Sequence, residues 1–177
     1  IGLMVAQWTR ALGASQVILF DVQKEKIEQA KNIGFDLTFN AADKDPVERT
    51  LELTDGHGAD LAIEGAGVPL TMVQALTVAR RGGRVVLMGN PSKEVTLPAA
   101  LISQVMRREV QIFGTWNSDY SAYGNHDDWG DVLLAMEEGV LDLKPLITHK
   151  VSLSEAFETL KRMREQQGFF SKVLVHP

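Results

Sequence analysis

Short runs of consecutive apolar residues alternate along this chain with longer segments whose apolar positions recur every three or four residues. The clearest run is Val17, Ile18, Leu19 and Phe20. Four large apolar residues in succession predict a strand buried on both faces, as strands of a parallel sheet are. Further strands are predicted over 37–39, 60–64, 84–88, 110–113 and 172–175. Between them lie helical faces: Met4, Val5, Trp8 and Leu12; Ile27, Ala30 and Ile33; Val47 and Leu51 behind Pro46; Met72, Ala75, Leu76 and Ala79; Leu101, Ile102, Val105 and Met106. Gly13, Gly34 and Gly82-Gly83 close the helices they follow, and Asp55 to Gly58 is a turn. Strand and helix alternate throughout, which is the pattern of an α/β fold with a parallel sheet.

Past Trp116 the pattern changes. Residues 117–128 are polar and aromatic without periodicity, predicting a long exposed loop. Trp129, Val132, Leu133 and Met136 then share a helical face that stops at Gly139. Residues 141–150 contain Pro145, so a strand there belongs at an edge. Ser152 to Glu155 is a capping box ahead of Phe157, Leu160 and Met163.

Composition narrows the function classes. The 177 residues are 45% hydrophobic and 23% charged, which is globular and neither disordered nor membrane-spanning. A net charge of −5 argues against nucleic acid as a partner, since binding it needs a positive field. With no Cys, thiol nucleophiles, disulfides and thiolate metal ligands are absent from the sequence. A cytoplasmic location is compatible with this. The sequence opens at Ile1-Gly2 without methionine and runs directly into a helix, so a piece of a longer protein is expected.

The candidate chemistry starts at Asp21, which closes the 17–20 strand. Ligands of doubly wound sheets sit beyond the carboxyl ends of the strands, where an acid after the second strand can accept hydrogen bonds from both hydroxyls of an adenosine ribose. Lys26 would border the same pocket. The alternative is an Asp that caps the next helix beside a solvated Lys. A dinucleotide fold opens with G-x-G-x-x-G ahead of a helix, and Gly2 fits the third glycine, whose missing side chain permits close packing of helix on strand. Nineteen positions separate Gly2 from Asp21, against an expected offset of about 20. Gly65-Ala66-Gly67 after the 60–64 strand either admits a ligand close to the backbone or is a plain turn.

Gly2 with ALGAS, VILFDVQKEKIEQAKNIGFD, DLAIEGAG, GGRVVLMGNP, RREVQIFGTW, LITHKVSLSEAFETLK and KVLVHP, in that order, resemble zinc-dependent medium-chain alcohol and polyol dehydrogenases, of the sorbitol and galactitol-1-phosphate dehydrogenase type. The resemblance covers the whole chain and implies their carboxyl-terminal half: a Rossmann-like doubly wound parallel sheet lacking its first strand over 1–118, and a segment over 119–177 that returns to the catalytic domain. It implies NAD as cofactor, with Ile1 and Gly2 beside the pyrophosphate and Asp21 and Lys26 at the ribose. Met88, Gly89 and Asn90 would lie near the nicotinamide, and Trp116 and Asn117 over the cofactor's reactive end. An acid at 21 favours NAD over its 2′-phosphorylated form, because like charges would meet. The implied reaction oxidises a sugar alcohol to a ketose. Its zinc ligands are expected outside this chain, so none of its residues is assigned a catalytic or metal role. The implied assembly is a homodimer or homotetramer joined through the 110–113 strand. Without the first, central strand of the order 3-2-1-4-5-6, the isolated piece is expected to re-pair, swap or be unstable.

Other constellations carry less. His57, His126, His149 and His176 are scattered, and in Asn125-His126-Asp127-Asp128 an aspartate capping the next helix is simpler than a metal site. Two rival functions are an S-adenosylmethionine-dependent methyltransferase, which also binds a ribose, and a nucleotide-sensing module without chemistry.

Overall fold

Every strand pairing in the computed structural model, which describes residues 1–119 and 127–177, is parallel. The fold is α/β, as the alternating pattern predicts. The described chain falls into two compact units, one of residues 1–2 and 41–119, the other of residues 3–40 and 127–177.

In the second unit, helix α1 (Gly2–Ala11, here from Leu3 on) leads through Gly13, with φ +97°, to strand β1 (Leu19–Asp21). Helix α2 (Lys24–Asn32) ends at Gly34, φ +83°, and strand β2 (Thr38–Asn40) pairs with β1. Ala6, Ala30 and Phe35 are the buried centre, with Leu3, Val17, Leu19 and Ile33 against them. Arg10 closes this packing: its guanidinium donates to the Gly34 carbonyl and lies 3.7 Å over the Phe35 ring. The 17–20 strand is shorter than predicted and half-buried instead of covered on both faces. Only Leu19 onward finds a partner, because among the described residues β1 has a strand on one side alone.

The same unit holds helix α6 (Asp128–Glu137), strand β6 (Ile147–Ser152), helix α7 (Ala156–Arg164) and strand β7 (Lys172–His176), with β6 paired to β7. Asp127 is the cap of α6, accepting from the Gly130 amide at 3.0 Å. The capping box forms, the Ser152 amide and hydroxyl both donating to Glu155 at 2.8 and 2.7 Å. Gln7 on α1 holds the segment before β6 through two hydrogen bonds with the Asp142 backbone. The apolar faces expected to be buried are not covered by described residues: Trp129 and Leu133 on α6, and Phe157 and Leu160 on α7, are exposed.

In the first unit, helix α3 (Pro46–Leu53) is capped by Asp45, whose side chain accepts from the Val47 amide at 2.7 Å. Strand β3 (Ala59–Glu64), helix α4 (Pro69–Val78), strand β4 (Ala79–Leu87), helix α5 (Ala99–Arg107) and strand β5 (Gln111–Gly114) follow. The sheet order is β3-β4-β5. Ala62, Ala75, Leu76, Ala79, Val85 and Leu101 form its core, while Ile102 and Met106, predicted on the inner face of α5, are exposed. Gly82-Gly83 does not end a helix. It lies inside β4, where the register with β3 jumps from Ala59↔Ala79 to Leu61↔Arg84 and the intervening residues bulge.

Candidate functional site

Asp21 stands at the carboxyl end of β1, where the parallel strand delivers its side chain to the ligand side of the sheet. One carboxylate oxygen accepts from the Gln23 amide at 2.9 Å and the other lies 3.6 Å from the Lys26 ammonium. Both expected residues therefore meet. Gln23, not Asp21, is the residue that precedes α2 as its cap, so Asp21 shapes the turn into the helix without capping it. Its side chain remains 33% exposed, leaving lone pairs for a further donor. Ile1 is exposed and Gly2 opens α1. A Cβ on Gly2 would meet nothing within 4 Å, so the close helix–strand packing expected of that glycine is not made by any described residue.

The second cluster, in the other unit, is built where β3 and β4 end side by side. Glu64 finishes β3 at 3% exposure, and its Oε1 accepts three hydrogen bonds: from the amides of Ala66 and Gly67, both at 2.9 Å, and from the Thr71 hydroxyl at 2.7 Å. The carbonyl of Glu64 accepts from the amides of Met88 and Gly89 at 2.9 and 3.0 Å. Gly67 in turn accepts at its carbonyl from the Ser92 amide at 2.9 Å. The expected Met88 and Gly89 are thus tied to Glu64, and Ser92, two residues after Asn90, to Gly67.

Both turns are closed to side chains. Gly67 has φ +68°, and a Cβ there would overlap the Asn90 carbonyl. On Gly89 it would overlap the Gly67 amide and stand 2.6 Å from Glu64 Oε2, and on Gly65 it would stand 2.9 Å from the Met88 methyl. The glycines thus let the two turns pack directly on each other, leaving Gly65 and Ala66 exposed at the end of β3. Thr115, following β5, donates to the Leu87 carbonyl at 3.1 Å. Trp116 and Asn117 follow it, both exposed, with Trp116 at 72%. Residues 120–126 of the expected loop, His126 included, lie outside the described residues.

Glu64 is the residue that sequence reading leaves unassigned. Its signal is present: an acid at the end of an apolar strand must find donors when buried, and two small residues and a glycine follow at hydrogen-bonding reach.

Residues 1–138 match the sequence model described as zinc-binding dehydrogenase. The chain belongs to the zinc-binding dehydrogenase family. It is 31% identical over 178 residues to sorbitol dehydrogenase of Bacillus subtilis, covering 100% of this chain and 48% of the relative. L-threonine 3-dehydrogenase of the same organism is 33% identical, with the same coverage. The crystal structure of galactitol-1-phosphate dehydrogenase from Escherichia coli superposes with a TM-score of 0.85 at 30% identity, covering 99% of this chain and 50% of that one. The chain therefore spans about half the length of the relatives it matches.

The family implies a dinucleotide and zinc. Asp21 at the end of β1, its side chain one-third exposed, is an acceptor of the kind that a dinucleotide's ribose hydroxyls require. For zinc, no three His, Cys, Asp or Glu side chains among the described residues are grouped to hold a metal ion. No helix of the described residues is long and apolar enough to cross a membrane.

Proposed function

We propose that this chain is the cofactor-binding half of an NAD-dependent dehydrogenase that oxidises a polyol or sugar alcohol, free or phosphorylated, to a ketose. The observation that carries the reading is the Asp21 carboxylate at the carboxyl end of β1, nineteen positions beyond Gly2 and held by Gln23 and Lys26. Bound NAD would supply a hydride acceptor, and the chain's residues hold and orient it. Asp21 accepts from the ribose hydroxyls and repels a 2′-phosphate, and Lys26 keeps the carboxylate in place. Ile1 and Gly2 border the pyrophosphate. In the other unit, Met88, Gly89 and Asn90 face the nicotinamide, with Trp116 and Asn117 beside its reactive end. Zinc would be held by residues other than those described.

The substrate class rests on the relatives named for sorbitol and galactitol 1-phosphate, and the threonine dehydrogenase makes an amino alcohol the rival outcome. Domains divided at 118/119 and a cytoplasmic location belong to the same reading. So does pairing of two copies through β5, at the edge of its sheet among the described residues, whose Ile112 and Phe113 are about half exposed.

The test uses the full-length protein, titrated with NADH, NADPH and S-adenosylmethionine. NADH binding well ahead of the other two, followed by NAD reduction with sorbitol or galactitol 1-phosphate, supports the reading. Binding of S-adenosylmethionine, or of none, refutes the cofactor, and turnover of L-threonine alone refutes the substrate class.

A further inference from the structure

Glu64 is a buried acid that the reading above does not use. Burying a carboxylate is costly unless donors surround it. Here the donors all fall on one oxygen: Ala66, Gly67 and Thr71 on Oε1. Oε2 is fully buried and has no hydrogen-bond partner. It lies against Gly89, where an added Cβ would come within 2.6 Å. Being sealed from the surface, Oε2 cannot itself touch a ligand. Glu64 also binds the second turn through its main chain, accepting from Met88 and Gly89. One residue therefore fastens the turn after β3 with its side chain and the turn after β4 with its backbone, and Oε2 keeps position 89 free of a side chain.

We propose that Glu64 is a positioning residue, whose carboxylate fixes the Gly65–Gly67 turn while its main-chain carbonyl holds Met88 and Gly89, so that the first turn keeps its shape beside the second at the nicotinamide end of the cofactor. The proposal rests on the NAD reading and deepens it. Thr71 is its working partner, since its hydroxyl bridges Glu64 Oε1 and the Val68 carbonyl at the start of α4. Removing the acceptor leaves the Ala66 and Gly67 amides unmatched inside the turn, while the Thr71 hydroxyl keeps the Val68 carbonyl, and lets the turn relax. Misplacement of this order at a binding site costs about 10- to 100-fold.

The experiment measures NADH and AMP affinities of the full-length protein and its E64Q, E64L and T71V variants, with melting temperatures alongside. AMP probes the adenosine end alone. E64L, of similar size but without an acceptor, is expected to bind NADH at least about tenfold more weakly while keeping AMP affinity. E64Q, which keeps an acceptor oxygen, rescues most of that loss, and T71V loses severalfold. Should E64L fail to fold, T71V decides by the same split. Unchanged NADH affinity in the folded variants overturns the proposal. So does an equal loss of NADH and AMP, which would mark Glu64 as a general stabiliser. Wild-type protein that binds AMP but not NADH overturns both this proposal and the NAD reading, an outcome separate from either.

Discussion

Replacing Asp21 by Ala tests the cofactor reading at its most exposed point. In the free protein the change is cheap: the Gln23 amide loses its 2.9 Å acceptor, but it lies at an exposed helix start where water replaces the carboxylate. The pair with Lys26, 3.6 Å apart with both side chains a third or more exposed, adds at most about 1 kcal/mol. Stability should therefore hardly move. Binding should move strongly, because hydrogen bonds to a charged acceptor contribute roughly 1.5–3 kcal/mol. At about 1.4 kcal/mol per tenfold, NADH affinity falls by about 10- to 100-fold. D21N separates shape from charge: its side-chain oxygen can still accept from Gln23, yet it no longer repels a 2′-phosphate. NADPH should gain on NADH in D21N and more so in D21A. Fluorescence titration of the full-length variants reads all of this. D21A binding NADH as tightly as the wild type would refute the assignment of Asp21 to the ribose.

Three further predictions concern the framework, each read as a melting-temperature change in the full-length protein. G67A should be destabilised by about 1–3 kcal/mol from its φ of +68° alone, and further by overlap with the Asn90 carbonyl; near-wild-type stability would mean the two turns are not locked. L76A empties the centre of the core between α4 and the β3-β4-β5 sheet and should cost about 2–5 kcal/mol, where a loss under 1 kcal/mol would show that core to be loosely packed. Glu155 is held below the usual carboxylate range by the Ser152 hydroxyl first and the Ser152 amide second, with burial opposing. Its contribution is therefore present above the ordinary value of 4.5 and lost as pH falls through the lowered one, so E155Q should melt below the wild type at pH 7 and converge with it in acid. A gap that stays constant down to pH 3 would contradict the capping role.

The order of elements is legible in the sequence because strand and helix periods differ and glycines punctuate them. What the period cannot supply is the neighbour. Val17 and Ile18 look as strand-like as Leu19 and Phe20, yet pairing starts only at Leu19, where β2 lies alongside. Phe157 and Leu160 line up correctly on α7 but remain exposed among the described residues, since an apolar face records a need for cover and not its source. Gly82-Gly83 reads as a stop because two glycines usually end a helix. The structure uses them to let β4 bulge: a Cβ on Gly83 would press the Ala59 carbonyl at 3.1 Å.

At the site, spacing made Asp21 visible and hid Glu64. Asp21 advertises itself by standing at a fixed distance after a glycine and a helix, and its neighbours in space are its neighbours in sequence, Gln23 and Lys26. Glu64 has the same local form, an acid ending an apolar strand, but half of its meaning lies more than twenty residues away in Met88 and Gly89, brought alongside by the parallel pairing of β3 with β4. The two acids are thereby opposites in chemistry. The half-buried one has lone pairs left that the proposed ribose could use, while the buried one gives Oε1 to the Ala66 and Gly67 amides and the Thr71 hydroxyl, so that on the proposed reading only the first should respond to which dinucleotide is offered and only the second to whether the turns hold their shape.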